Sequence, residues 1–196
     1  MSRKDIPEQR KQQLINAAVE MISVVGLAGV TLSQVAKQAG MSTGIVSHYF
    51  GDKEGLILAI MRKILRDLHE AVAKCRAQAD KDVRSQLFAI IDGNFDPSQI
   101  SEVSMRSWLD FWAASMHSPE LHRLQRINDH RLFSNICVQF KRLMPAESAR
   151  SASRGLAALI DGLWLRGSLS GDNFDVQQAS LIARDYVVQK LADFTH

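Results

Sequence analysis

Between Thr31 and Phe50 the chain writes two short helices joined by a tight turn, and few folds accept that order of signals. Thr31 and Gln34 form the T-x-x-Q capping box that opens a helix, and Leu32, Val35, Ala36 and Ala39 give it one apolar face. Gly40 ends it. Ser42 caps a second short helix that Ile45 and Val46 anchor to a core, leaving Thr43, Ser47 and His48 directed elsewhere. Helix, Gly-containing turn, helix is the arrangement that lays its second helix in the major groove of DNA. An ordinary helical hairpin, with hydroxyls serving only as caps, satisfies the same local signals. On the DNA reading, the hydroxyls of Thr31, Thr43, Ser47 and Tyr49 suit phosphate oxygens or base edges, and Lys53 supplies charge where the next helix starts. Lys37, Ser42, Gly44 and His48 complete the candidate DNA-facing set.

The rest of the chain extends the helical pattern. Pro7, Pro97, Pro119 and Pro145 each stand where an apolar helical period is about to begin, and proline is tolerated in a first helical turn but not further in. Asp96-Pro97-Ser98-Gln99 and Ser118-Pro119-Glu120 both read as capped helix starts. No apolar alternation of period two persists, so no sheet is expected. The fold class is all-α, with about nine helices near 7–25, 32–39, 43–49, 53–78, 83–94, 98–116, 119–143, 147–170 and 175–193. Leu56, Ile60, Ile64, Leu68 and Val72 run as one stripe along the fourth, which can therefore connect two bodies. The expected division is a helix-turn-helix module at 1–52 and a helical body for ligand binding and dimerisation at 53–196.

A hydrophobic content of 46% excludes a disordered chain. Charges interrupt every apolar stretch well before the roughly 20 residues of a membrane span, so no membrane association is expected. Met1-Ser2-Arg3-Lys4-Asp5 opens on charge rather than on an apolar leader, which makes the cytoplasm the expected compartment. A net charge of +3 does not by itself announce a nucleic-acid binder, and residues 1–53 hold six basic against four acidic side chains, a slight local excess. Cys75 and Cys137 are too far apart to write a disulfide framework or a Cys-based zinc site, and read as reduced thiols.

Thr31, Val35, Ala36, Ala39, Gly40, Met41, Ser42, Gly44, Tyr49, Phe50, Lys53 and Leu56 together resemble the N-terminal signature of the TetR family of repressors, with Met41 at a position more often Val. The resemblance implies a three-helix DNA-binding module, a fourth helix that transmits motion, a ligand pocket in the body and dimerisation through the last two helices. It continues through the body in Gly93-Asn94-Phe95-Asp96, Trp108-Leu109-Asp110-Phe111-Trp112-Ala113, Ser115-Met116-His117 and the run from Gly155 to Arg166. These are similar to the branch of choline-responsive repressors that control glycine betaine synthesis genes. That branch implies a homodimer on palindromic double-stranded operator DNA, released or weakened by choline, with no cofactor. Two other readings stand beside it: a TetR-type repressor of another operon sensing a different small ligand, and a helical ligand-binding protein that reads no DNA.

Trp108, Phe111 and Trp112 share one side of a helix, with Phe95 ahead of it and Trp164 on another helix. Aromatic faces hold a quaternary ammonium that has no hydrogen to donate, each contributing about 0.5–2 kcal/mol. The same stripe also suits plain core packing. Asp161 falls in the apolar run Leu156–Leu165, where a carboxylate needs a partner, either a small cationic ligand or an arginine at the dimer interface. Gly155 and Gly162 weaken their helix and fit a close helix–helix approach. His117, His122 and His130 lack metal-ligand spacing, so no metal is expected. With no phosphate-binding glycine loop, Walker motif or nucleophile elbow, no catalytic residues and no enzyme activity are expected.

Overall fold

The computed structural model describes residues 5–171 and 174–194, without the side chains of Asp5, Ile6, Ser23 and Glu102. The opening from Met1 to Lys4, on which the leader expectation falls, lies outside the described residues. The described residues form helices and no strand, in the order α1 (Asp5–Gly29), α2 (Leu32–Gln38), α3 (Thr43–Phe50), α4 (Lys53–Gln78), α5 (Val83–Asn94), α6 (Glu102–Ser115), α7 (Pro119–Phe140), α8 (Ala146–Ser170) and α9 (Val176–Ala192).

The chain packs as two compact units: residues up to Arg66 with Ser101–Gln125, and Asp67–Ile100 with residues from Arg126 onward. The first holds α1, α2, α3 and α6, where α1 packs on α2 and on α6. Leu14, Ile15, Ala18 and Ile22 line one side of α1 and are buried, as are Val35, Ala36, Val46 and Phe50 from the two short helices. Leu56, Ile60 and Met61 from the start of α4 are also fully buried. Although its apolar pattern ends near residue 25, α1 continues to Gly29 through a kink at Gly26 (φ 71, ψ 167).

In the second unit, α9 packs on both α5 and α8. Its core includes Val72, Leu87, Ile90, Ile91, Ile136, Phe140, Leu156, Ile160 and Val187. Gly155 explains one close approach: a Cβ there would lie 2.1 Å from the Tyr186 hydroxyl, and that hydroxyl donates to the Ala152 carbonyl at 3.2 Å. Gly162 meets no neighbour within 4 Å in the chain itself.

One helix start is corrected. The sixth helix begins at Glu102, not near 98, and its N-cap is Ser101, whose Oγ accepts from the Ser104 amide at 3.2 Å. The Asp96 carboxylate instead accepts from the Ser98 amide at 2.9 Å and the Ser98 hydroxyl at 2.6 Å. Such a local Asx turn competes with helix for the same backbone donors, and here it wins. The packing units also part the chain elsewhere than the functional division expected at residue 52, because α6 packs on α1 and so brings Ser101–Gln125 into the first unit.

Candidate functional site

The capping box at α2 is complete: Thr31 Oγ1 accepts from the Gln34 amide at 3.2 Å, and Gln34 Oε1 accepts from the Thr31 amide at 2.9 Å. Gly40 takes φ 65 at the turn, a left-handed value that favours glycine, and Ser42 Oγ accepts from the Ile45 amide at 3.4 Å to start α3. With Val46 and Phe50 buried, α3 turns Thr43, Gly44, Ser47 and His48 out to solvent. Thr43 and Ser47, four apart, stand on one face. Tyr49 is half-buried, 5.5 Å from the His48 ring and 6.3 Å from that of Phe50. Lys37 is exposed in the last turn of α2.

Lys53, at the first position of α4, donates from its ammonium to the Ala28 carbonyl. An ammonium carries three donors, so this bond leaves capacity for a phosphate. The structure thus gathers the predicted DNA-facing residues on and around α2 and α3, with Thr31 and Ser42 already employed as caps.

The predicted ligand residues fall in both packing units. In the first, the rings of Trp108 and Phe111 are 5.8 Å apart and nearly edge to face, and those of Trp108 and Trp112 are 6.1 Å apart. Trp108 is 4% exposed and Phe111 fully buried, whereas Trp112 is half-buried. Trp112 therefore has the most ring surface still open of the three. In the second unit, Phe95 closes α5 and is buried, and the Trp164 indole donates to the Asn94 carbonyl at 3.3 Å.

Asp161 stands on the outer face of α8. Although the residue reaches solvent, the protein crowding its carboxyl, and then the like charge of Asp129, push its pKa up to about 6. A separate open cleft of about 430 Å³ lies at the end of α4 and along α5, lined by residues including Cys75, Phe88, Asp92 and Arg184. None of the predicted ligand residues lines it. Cys75 and Cys137 are free thiols, and no metal-binding cluster of His, Cys, Asp or Glu occurs among the described residues.

One residue that the sequence pattern left unassigned joins α6 to α1 within the first unit. Asp110, between Leu109 and Phe111, accepts from the Leu27 amide at 2.6 Å, just past the Gly26 kink. The signal was available: a carboxylate inside an apolar run needs a partner, the argument that singled out Asp161.

Residues 14–60 match the family model of bacterial regulatory proteins of the tetR family, and residues 83–192 match that of the BetI-type transcriptional repressor C-terminal domain. The HTH-type transcriptional regulator BetI of Stenotrophomonas maltophilia is 58% identical over 187 residues, 95% of each chain. Among solved structures, a transcriptional regulator from Pseudomonas aeruginosa aligns at 26% identity and a TM-score of 0.77, covering 95% of this chain and 92% of that one. A regulator from Saccharomonospora viridis, solved in complex with choline, shares the fold at 20% identity with a TM-score of 0.78, covering 92% and 96%. No helix among the described residues is long and apolar enough to cross a membrane. Since both halves match their family models and the likeness to BetI spans nearly the whole chain, this protein belongs to the TetR family of DNA-binding transcriptional regulators, in its BetI branch, and is not an enzyme.

Proposed function

We propose that the protein represses glycine betaine synthesis genes by binding a palindromic operator as a homodimer, and that choline weakens or relieves this repression. The observation that carries the reading is that identity to BetI runs through the body as well as the reading head. Effector choice resides in the body, so likeness confined to the helix-turn-helix would say nothing about choline. The choline complex of a regulator with the same fold supports the ligand class.

In this reading residues 1–52 read the operator and 53–196 bind the effector and dimerise. Thr43, Gly44, Ser47 and His48 face the groove, while Thr31, Lys37, Ser42, Tyr49 and Lys53 position the head on phosphates. Trp108, Phe111 and Trp112, with Phe95 and Trp164, are the candidate aromatic groups for the trimethylammonium. Dimerisation uses α8 and α9, which expose Leu165, Leu169, Leu181, Ile182 and Val188; Leu169 alone is 73% exposed. Gly162, open within the chain, and Asp161, on the outer face of α8, fit that surface. The expected cellular setting is the cytoplasm.

Titration calorimetry with choline and with its oxidised relatives, with and without operator DNA, tests ligand and coupling together. Choline binding that is weakened by operator DNA supports the reading. Equal choline affinity in both states overturns it, because such a ligand shifts no equilibrium.

A further inference from the structure

α1 is not one continuous helix. At Gly26 (φ 71, ψ 167) the backbone enters a region that an L side chain adopts only with strain, and a helix restarted beyond such a break has amides with no intrahelical acceptor. The Leu27 amide finds its acceptor 83 positions away, in Asp110 Oδ2 at 2.6 Å. That same oxygen would lie 3.3 Å from a Cβ at Gly26, so carboxylate and kink are fitted to each other. One residue further, the Ala28 carbonyl takes the ammonium of Lys53. The end of α1 is thus held by an acid from α6 on its N–H side and a base from α4 on its C=O side. After Gly29 only Val30 and Thr31 remain before α2, and Thr31 is its cap. A shift at Leu27 reaches the helix-turn-helix within four residues. α6 also carries Trp108, Phe111 and Trp112, and Asp110 lies inside that run.

We propose that Asp110 is a positioning residue for operator reading: by holding the Gly26 kink it sets where α2 begins, and through it a movement of α6 reaches the reading head. The second half of this statement rests on choline being the effector, and the first half does not.

The test compares full-length parent, Asp110→Ala, Asp110→Asn and Gly26→Ala. Its readouts are operator affinity across a salt series, the change in that affinity with choline, and amide exchange at Leu27. Loss of a hydrogen bond to a charged group predicts that Asp110→Ala weakens operator binding about tenfold. Its salt slope stays parental, because no phosphate contact is removed. Leu27 exchanges faster, and choline's effect on operator affinity shrinks toward none. Asp110→Asn, whose side-chain oxygen still accepts the Leu27 amide, recovers most of the affinity, which a general loss of stability would not reproduce. Gly26→Ala, which disturbs the kink with Asp110 intact, weakens operator binding in the same way. Parental operator affinity in folded Asp110→Ala overturns the proposal, and should that variant not fold, parental affinity in Gly26→Ala does so. Parental choline coupling in Asp110→Ala overturns the transmission half alone. A parent that ignores choline removes the effector reading while the operator and exchange results still decide the role of Asp110.

Discussion

A Cβ placed on Gly93 would lie 2.4 Å from the Cα of Val72, so α5 meets α4 backbone against backbone at that point. In an open helix Gly→Ala gains about 1 kcal/mol of propensity. Here the methyl overlaps main-chain atoms that cannot rotate away, and overpacking costs typically about 1–3 kcal/mol, occasionally more. A clash with main chain puts the cost at the upper end of that range, so Gly93→Ala is expected to lower stability by about 2 kcal/mol net, read as an earlier urea midpoint. An unchanged or later midpoint would show that the two helices part easily.

The reading head offers a contrast between two kinds of contact. Tyr49→Phe and Lys53→Ala should weaken operator binding nearly uniformly across operator variants, since phosphate contacts fix position rather than sequence. Lys53→Ala should also flatten the salt dependence by about one unit. A parental slope would confine Lys53 to its bond with Ala28. Thr43→Ala and Ser47→Ala, on the exposed face of α3, should instead relax discrimination at particular base pairs, measurable by binding to a panel of single-substitution operators.

Asp161 gives a pH dependence with a definite sign. Its carboxyl is raised from 3.8 to about 6, so the folded state holds the proton more tightly than the unfolded chain does. Ionisation at neutral pH is then a cost to the fold, and this group's penalty fades as the pH falls from about 6 toward 3.8. Asp161→Asn should unfold at higher urea than the parent near neutral pH, with the two curves converging in acid. A gap of the same size at both pH values would mean that the carboxylate is already matched by a cation.

Helix positions were legible because the signals are local. The capping box at Thr31, the glycine at Gly40 and the cap at Ser42 each act within four residues, and the structure places all three as read. Asp96 shows where local reading fails: its carboxylate can cap a helix or close its own turn, and nothing within the four-residue window Asp96–Gln99 decides between them. The kink at Gly26 was hidden for another reason. Its stabilising partner, Asp110, is distant in sequence, and a break in α1 makes sense only once α6 supplies an acceptor for the Leu27 amide. Aromatic spacing likewise put Trp108, Phe111 and Trp112 on one side of α6 but could not say which ring keeps open surface. That depends on neighbours, and burial distinguishes Trp112 from the other two.

This difference sharpens the test of the effector site. Trp108 is buried against Phe111, so truncating it to leucine opens a cavity in the core and lowers stability whatever its role with a ligand. Trp112→Leu is the cleaner change, because it removes a π face at a half-buried position and keeps much apolar volume. If that face helps to hold a trimethylammonium group, choline affinity should fall by the loss of one cation–π contact, about 0.5–2 kcal/mol, or roughly 2- to 30-fold. Operator affinity without choline should stay near parental, since Trp112 is outside the proposed DNA-facing set of α2 and α3 and its replacement leaves the Asp110 bond to the Leu27 amide in place. Repression would persist while induction shifts to higher choline concentration. Reciprocity adds a check: operator DNA and choline must weaken each other's binding by the same factor, in the parent and in the variant alike. Calorimetry on the free protein and anisotropy on the operator complex give the two sides of that equality. A Trp112→Leu protein that binds choline as the parent does would return the α6 aromatics to core packing.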